Sequence, residues 1–242
     1  MEQIKNNLTV IYRACGKELD QKEFNQSRPD WFDKKKCFQS FYGNFGNNPN
    51  VKILCVFDGN KENELAKYIE SFNIETQYLS NAGNKGSLIY CYELMKDINS
   101  EFVGLFEDDY LWLPNSYPIL MDGLTRFKTS GTISLYQHPD RVFRTDDITL
   151  GKDYILAGNY CYWRTAESNT ATFAISIELF NKHYQEFIDC NIHDRLLFTN
   201  LLKKYQLRHF TPVSERFGAT HCNKFFSSLY INWETYNNSI CL

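Results

Sequence analysis

A chain of 242 residues with 43% hydrophobic and 23% charged residues can bury a sizeable core, as one large α/β domain or two small ones, and is not a disordered polymer. A formal net charge of −3 excludes a general polyanion binder, while leaving individual basic residues able to grip a phosphate locally. Eight cysteines lie scattered without CxxC or His/Cys zinc spacing, so reduced, buried thiols are expected rather than a disulfide framework.

The start, MEQIKNNLTVIYRA, lacks the basic segment and long apolar run of a secretory signal. No stretch approaches about 18 continuous apolar residues, so a soluble, cytoplasmic chain without a transmembrane segment is expected, with peripheral membrane contact left open. Residues 8–14, LTVIYRA, and 51–60, VKILCVFDGN, have the near-continuous apolar character of buried parallel strands. Between them, 34–42 is expected to be a short helix and 43–50 a loop, with Lys34, Lys35 and Lys36 a solvated helix start. KENELAKYIESF (61–72) carries Leu65, Tyr68, Ile69 and Phe72 at helical spacing, and IETQYLS (74–80) returns to strand character.

After NAGNKG, residues 87–98 place Leu88, Cys91, Leu94 and Met95 on one helical face, with Ser87 as cap. FVGLF (102–106) is the next strand. GTISLYQ (131–137) is a further strand, 138–170 is polar and irregular, and TATFAIS (170–176) is strand-like. IELFNKHYQEFI and HDRLLFTNLLKKY are expected to be helices, and RHFTPVSERF an extended closing segment. Alternating strands and helices predict a mostly parallel sheet, whose ligands gather at the carboxyl ends of the strands. Most of the 39 aromatic residues are expected to be core filler.

Three features fall on that edge: Asp58 in DGN, the NAGNKG turn, and the run Glu107-Asp108-Asp109. A turn opening a helix offers free N–H groups to phosphate oxygens, and Lys85 adds a point charge. Carboxylates beside a phosphate would repel it, and a divalent cation between them removes the conflict. Together the features describe a metal-assisted site for a nucleotide diphosphate.

VFDGN, NAGNKGS and EDD resemble the strand-end acid, the Asn/Gly segment and the DxD motif of GT-A fold nucleotide-sugar-dependent glycosyltransferases, of the family-2-like kind. The resemblance spans most of the chain and implies a single GT-A (Rossmann-like) α/β domain. Its mixed, mostly parallel central sheet would be flanked by helices, with a nucleotide-sugar-binding half over about 1–110 and an acceptor-binding half over about 111–242. It assigns donor binding to Arg13, Asp58, Asn81, Lys85, Gly86 and Asp108. Asp109 and His221, the latter from FTPVSERFGATHC, become ligands of Mn²⁺ or Mg²⁺, and Glu107 keeps an undecided role.

Asp194, opening HDRLLFTNLLKKY, becomes the general base of an inverting transfer from a UDP- or GDP-sugar to a carbohydrate or glycoconjugate hydroxyl. An Asp at that place is also an ordinary helix cap, and a loop His an ordinary surface residue. Tyr162, Trp163, Arg164 and Glu167 form the expected acceptor wall, with packing or exposure as the alternative for each. His138 and His209 carry no motif and are read as ordinary packing or surface histidines. A sugar-nucleotide pyrophosphorylase is a rival, although RACGKELDQKEF has only Gly16 where those enzymes have a long Gly-rich loop. A non-catalytic carbohydrate- or nucleotide-binding module on the same fold stays open.

Overall fold

The structure is a computed structural model that describes residues 7–17, 27–139, 154–166, 172–190, 192–228 and 230–242. In its first half, β1 (Leu8–Cys15), β2 (Val51–Asp58), β3 (Glu75–Leu79) and β4 (Phe102–Glu107) alternate with α1 (Lys34–Phe45), α2 (Glu64–Glu70) and α3 (Gly83–Lys96). Strand β1 pairs in parallel with β2 and β4, and β2 with β3. The register sets Cys15 beside Asp58 and Arg13 beside Glu107, so the strand-end acids share one edge of the sheet.

The second half adds β5 (Tyr110–Trp112), α4 (Ser116–Arg126), β6 (Gly131–Ile133), β7 (Ile155–Ala157), β8 (Tyr162–Ala166) and β9 (Phe173–Ser176). It continues with α5 (Ile177–Lys182), α6 (Tyr184–Cys190), α7 (Asp194–Tyr205), β10 (Arg208–Pro212), a 3₁₀ turn at Glu215–Phe217, β11 (Ala219–His221) and α8 (Trp233–Ser239). Among the described residues the main sheet has the order β3-β2-β1-β4-β9-β6-β10-β8-β7. Only β9 and β8 run against the other strands, so the sheet is mixed and mostly parallel, as expected.

Two apolar layers cover the sheet. On one face Tyr12, Phe38, Phe41, Phe45, Phe106 and Trp112 interlock, with the Tyr12 and Phe41 rings stacked at 4.8 Å. On the other, Ile11, Val56, Leu88, Met95, Leu105 and Phe173 pack beneath α3 and the C-terminal helices. The aromatic wealth is therefore largely core, and seven of the eight cysteines are wholly or partly buried free thiols. No helix among the described residues is long and apolar enough to cross a membrane.

Several boundaries differ from the sequence reading. Helix α1 runs through Gly43 to Phe45, because Phe45 is fully buried and closes the aromatic layer. Helix α3 begins at Gly83, placing Ser87 inside it, where its hydroxyl donates to the Gly83 carbonyl at 2.8 Å instead of capping the start. The strand expected over 131–137 stops at Ile133, and the irregular stretch contains the β7–β8 hairpin. Residues 177–188 form parts of two helices that break at His183, and α8 lies in a stretch where the sequence predicts no element.

Candidate active site

The acids sit where β4 ends, and each meets its own cation. Arg13, across the β1–β4 register, pairs with Glu107 through Nη2 and donates through Nη1 to Asn84 Oδ1 (2.9 Å) and Ser87 Oγ (3.0 Å). Lys34 Nζ lies 2.8 Å from Asp108 Oδ2, which also accepts from the Cys15 amide at 2.9 Å. Arg28 Nη2 donates to Asp109 Oδ2 at 2.6 Å. The side chains of these pairs are 9–15% exposed, so water screens them little.

The charges respond accordingly. Burial pushes the Asp109 carboxyl up, but His221 and Arg28 beside it outweigh that and hold it well below the usual carboxylate range. Burial raises Glu107 above its ordinary value despite the Arg13 guanidinium, and the Asp109 charge adds to the rise. Burial also works against the Lys34 ammonium, where Asp108 wins and keeps it protonated far above neutrality.

His221 arrives from the far end of the chain by strand pairing. Strand β11 lies antiparallel to β5 with His221 opposite Tyr110, and the Cys222 amide donates to the Asp109 carbonyl at 2.8 Å. Its ring stacks on Tyr110 at 5.2 Å, which brings Nε2 to 3.1 Å from Asp109 Oδ2. Gly218 allows this approach, since a Cβ there would collide with the Leu135 carbonyl.

Asp109 and His221 suit a divalent cation. Two neighbouring ligands of an octahedral ion bound at about 2.1 Å stand about 3.0 Å apart, close to the separation seen. Asp109 Oδ1 is buried without a hydrogen-bond partner, leaving capacity on the carboxylate. Among the described residues no group of three or more His, Cys, Asp or Glu side chains is disposed around one point. A carboxylate and an imidazole are nonetheless enough for an ion such as Mn²⁺ that takes its remaining oxygens from water and phosphate.

The other expected residues fall in three places. Asp58 reaches the start of α3, accepting from the Ala82 amide at 2.9 Å and the Gly83 amide at 2.7 Å. Those two N–H groups are therefore taken by the chain's own carboxylate, which corrects the expectation that the turn offers them to phosphate. Asn81 holds a left-handed backbone at φ 55° just before them, Lys85 is exposed on the first turn of α3, and Gly86 stands against Ala82. Asp194 opens α7 and is near enough to Tyr92 to help raise its hydroxyl pKa, after burial, as Glu107 also does.

Of the residues expected to form the acceptor wall, Trp163 lies in the core. Trp163 is fully buried and donates through Nε1 to Asp122 Oδ2 at 3.1 Å, so it is a core residue with no face for a sugar. Tyr162 is 64% exposed and Arg164 is partly exposed, both on β8, and Glu167 lies outside the described residues. Strands β9, β6 and β10 separate β8 from β4, four spacings of about 4.8 Å or roughly 19 Å across the sheet. His209 is a packed core residue, bonded to Thr132 Oγ1 at 2.7 Å.

Sequence reasoning missed Arg28 and misread Lys34. Asp33 caps α1 by accepting from the Lys35 and Lys36 amides, and Lys34 turns inward to Asp108 instead of standing in solvent. Nothing local marked Arg28, whose partner lies 81 residues away.

No family model matches the chain, and no curated protein matches it in sequence. Among solved structures, one of GalNAc-T7 with UDP, GalNAc and Mn²⁺ superposes with a TM-score of 0.55 at 9% identity, covering 89% of this chain and 43% of that one. A mannosyltransferase, PcManGT from Pyrobaculum calidifontis, in complex with GDP-Man and Mn²⁺, gives 0.52 at 14% identity, over 86% and 55%. S. aureus TarS, residues 1–349, gives 0.50 at 14% identity, over 88% and 59%. The fold is GT-A. This chain thus spans 43–59% of the length of those three GT-A structures, and at such identities the likeness establishes architecture alone.

Proposed function

We propose that this GT-A chain is a divalent-metal-dependent glycosyltransferase that moves a sugar from a UDP- or GDP-sugar to a hydroxyl of a carbohydrate or glycoconjugate. The observation that carries the reading is the meeting of Asp109, at the strand-end acid run, with His221 from the closing segment, 3.1 Å apart at the edge where open α/β sheets bind ligands. GT-A structures that contain UDP or GDP-Man together with Mn²⁺ support the choice of donor class and ion.

In this reading Asp109 and His221 hold Mn²⁺ or Mg²⁺, which when bound supplies positive charge to the leaving diphosphate. Asp108, fixed by the Cys15 amide and Lys34, presents its carboxylate to the donor's ribose or sugar. Arg13 and Glu107 brace β1, β4 and α3 behind it, which gives Glu107 a structural purpose. Asp58 holds the α3 start, so that Asn81, Lys85 and Gly86 flank the donor on a fixed turn. Asp194 takes the proton of the acceptor hydroxyl as it attacks the anomeric carbon from the face opposite the diphosphate, which inverts that centre. Tyr162 and Arg164 remain as the acceptor-side candidates, with Glu167 beyond the described residues.

The test is turnover with a panel of UDP- and GDP-sugars, Mn²⁺ and mixed glycan acceptors, with the product's anomeric configuration read by NMR. Inversion, lost in Asp194→Asn while donor binding persists, is expected. A retained configuration, or full-rate transfer by Asp194→Asn, would overturn the base assignment.

A further inference from the structure

Arg28 belongs to none of the motifs, yet it occupies the ground between the two atoms best placed to hold a metal. Its Nη2 donates to Asp109 Oδ2 at 2.6 Å, and its Nη1 stands 3.2 Å from His221 Nε2 and donates to the Cys222 carbonyl at 2.9 Å. Its guanidinium lies 5.0 Å from the centroid of the Phe32 ring. Three side chains and one backbone carbonyl, from three stretches of the chain, hold it in place.

The triangle is not fully satisfied. His221 Nε2 faces a donor, Arg28 Nη1, and an acceptor, Asp109 Oδ2 at 3.1 Å, and one ring nitrogen cannot serve both. Unprotonated, it accepts from Arg28 and leaves no proton between itself and the carboxylate oxygen. Protonated, it bonds Asp109 and opposes the guanidinium. A cation bound to Nε2 and to the Asp109 carboxylate relieves both conflicts, but it needs the single Nε2 lone pair that Arg28 Nη1 faces.

The charges give the contest a direction. Three carboxylates already meet three basic side chains, so a divalent ion added beside Arg28 would leave the site with two excess positive charges. Displacing Arg28 reduces the excess to one. A diphosphate would absorb that charge, and its oxygens are natural partners for a freed guanidinium.

We propose that Arg28 is a resident counter-cation that competes directly with a divalent metal for Asp109 and His221, so that metal entry requires the guanidinium to leave. The metal and diphosphate are taken from the function proposed above, whereas the competition itself is measurable without nucleotide, so each can fail alone.

Two measurements on the full chain test it. Mn²⁺ binding, followed by the EPR signal of the free ion, compares the unmodified chain with Arg28→Gln and with Lys34→Gln, which removes the same charge from Asp108 instead. If Arg28 holds the ligands nine-tenths of the time or more, its removal tightens Mn²⁺ binding by about tenfold or more. Lys34→Gln should change it much less; equal effects from both variants, or none from Arg28→Gln, would overturn the proposal.

Because Arg28→Gln leaves Asp109 without its counterion, the second measurement uses the unmodified chain. The exchange-protected guanidinium protons of Arg28 should be visible by ¹⁵N NMR in metal-free solution and vanish as Mg²⁺ is added, while those of Arg13 persist. Arg28 signals that survive saturating Mg²⁺, or a chain that takes up no divalent ion, would refute the exchange.

Discussion

Asp58 can be asked directly whether it serves the helix or a ligand. Its two oxygens accept from the Ala82 and Gly83 amides at 2.9 and 2.7 Å, at the positive end of the 14-residue helix α3. Losing a side-chain cap costs about 0.5–2 kcal/mol, and losing a carboxylate from a helix N-terminus about 0.3–1 kcal/mol more. Both amides lie at exposed residues where water can replace part of the loss, so Asp58→Ala should cost about 2 kcal/mol in all. Asp58→Asn keeps one acceptor oxygen and should cost about half as much. With a urea slope of about 3 kcal/mol per M, the alanine variant's unfolding midpoint falls by about 0.7 M and the asparagine variant's by roughly half that. A midpoint shifted by less than about 0.1 M, with nucleotide diphosphate binding lost, would put Asp58 on the ligand and refute the helix role.

Gly218→Ala forces a Cβ against the Leu135 carbonyl and should cost about 1–3 kcal/mol, seen as a lower melting temperature; an unchanged melt would contradict the tight approach that delivers His221. Trp163→Phe leaves Asp122 short of a donor and should cost about 1–3 kcal/mol without altering the acceptor KM. Tyr162→Ala should do the reverse, holding stability within about 0.5 kcal/mol while raising the acceptor KM, as urea melts and initial rates would show. Asp109 is held below its unfolded value near 3.9, so its stabilisation is complete above that value and fades as pH falls towards the lower folded one. The stability gap between the unmodified chain and Asp109→Asn should therefore narrow from pH 6 to pH 3 in urea titrations, and a constant gap would contradict the assignment.

The parallel half of the sheet was legible because β1, β2 and β4 are short apolar runs ending in Cys15, Asp58 and Glu107, and alternation with helices sets their order. What the sequence concealed is consistently long-range. Helix α3 starts four residues early because its cap comes from Asp58, 25 positions back. In the β7–β8 hairpin, tied down by Asp122 from α4, β7 is exposed along its whole length and so lacks the alternation that marks a half-buried strand, while β8 alternates over only five residues. The acids themselves were legible as a strand end, but their neutralisation was not. The run of acids calls for positive charge, and Arg13, Lys34 and Arg28, distant in sequence, already supply one to each.

The central claim is that Asp109 and His221 form the metal end of a nucleotide-diphosphate site. Thermal unfolding with UDP and GDP, each with and without Mn²⁺, tests it most directly. A melting temperature raised only by one nucleotide together with the ion, and not raised in Asp109→Asn, is the expected result. No stabilisation by either nucleotide with Mn²⁺, or equal stabilisation in Asp109→Asn, would contradict the account.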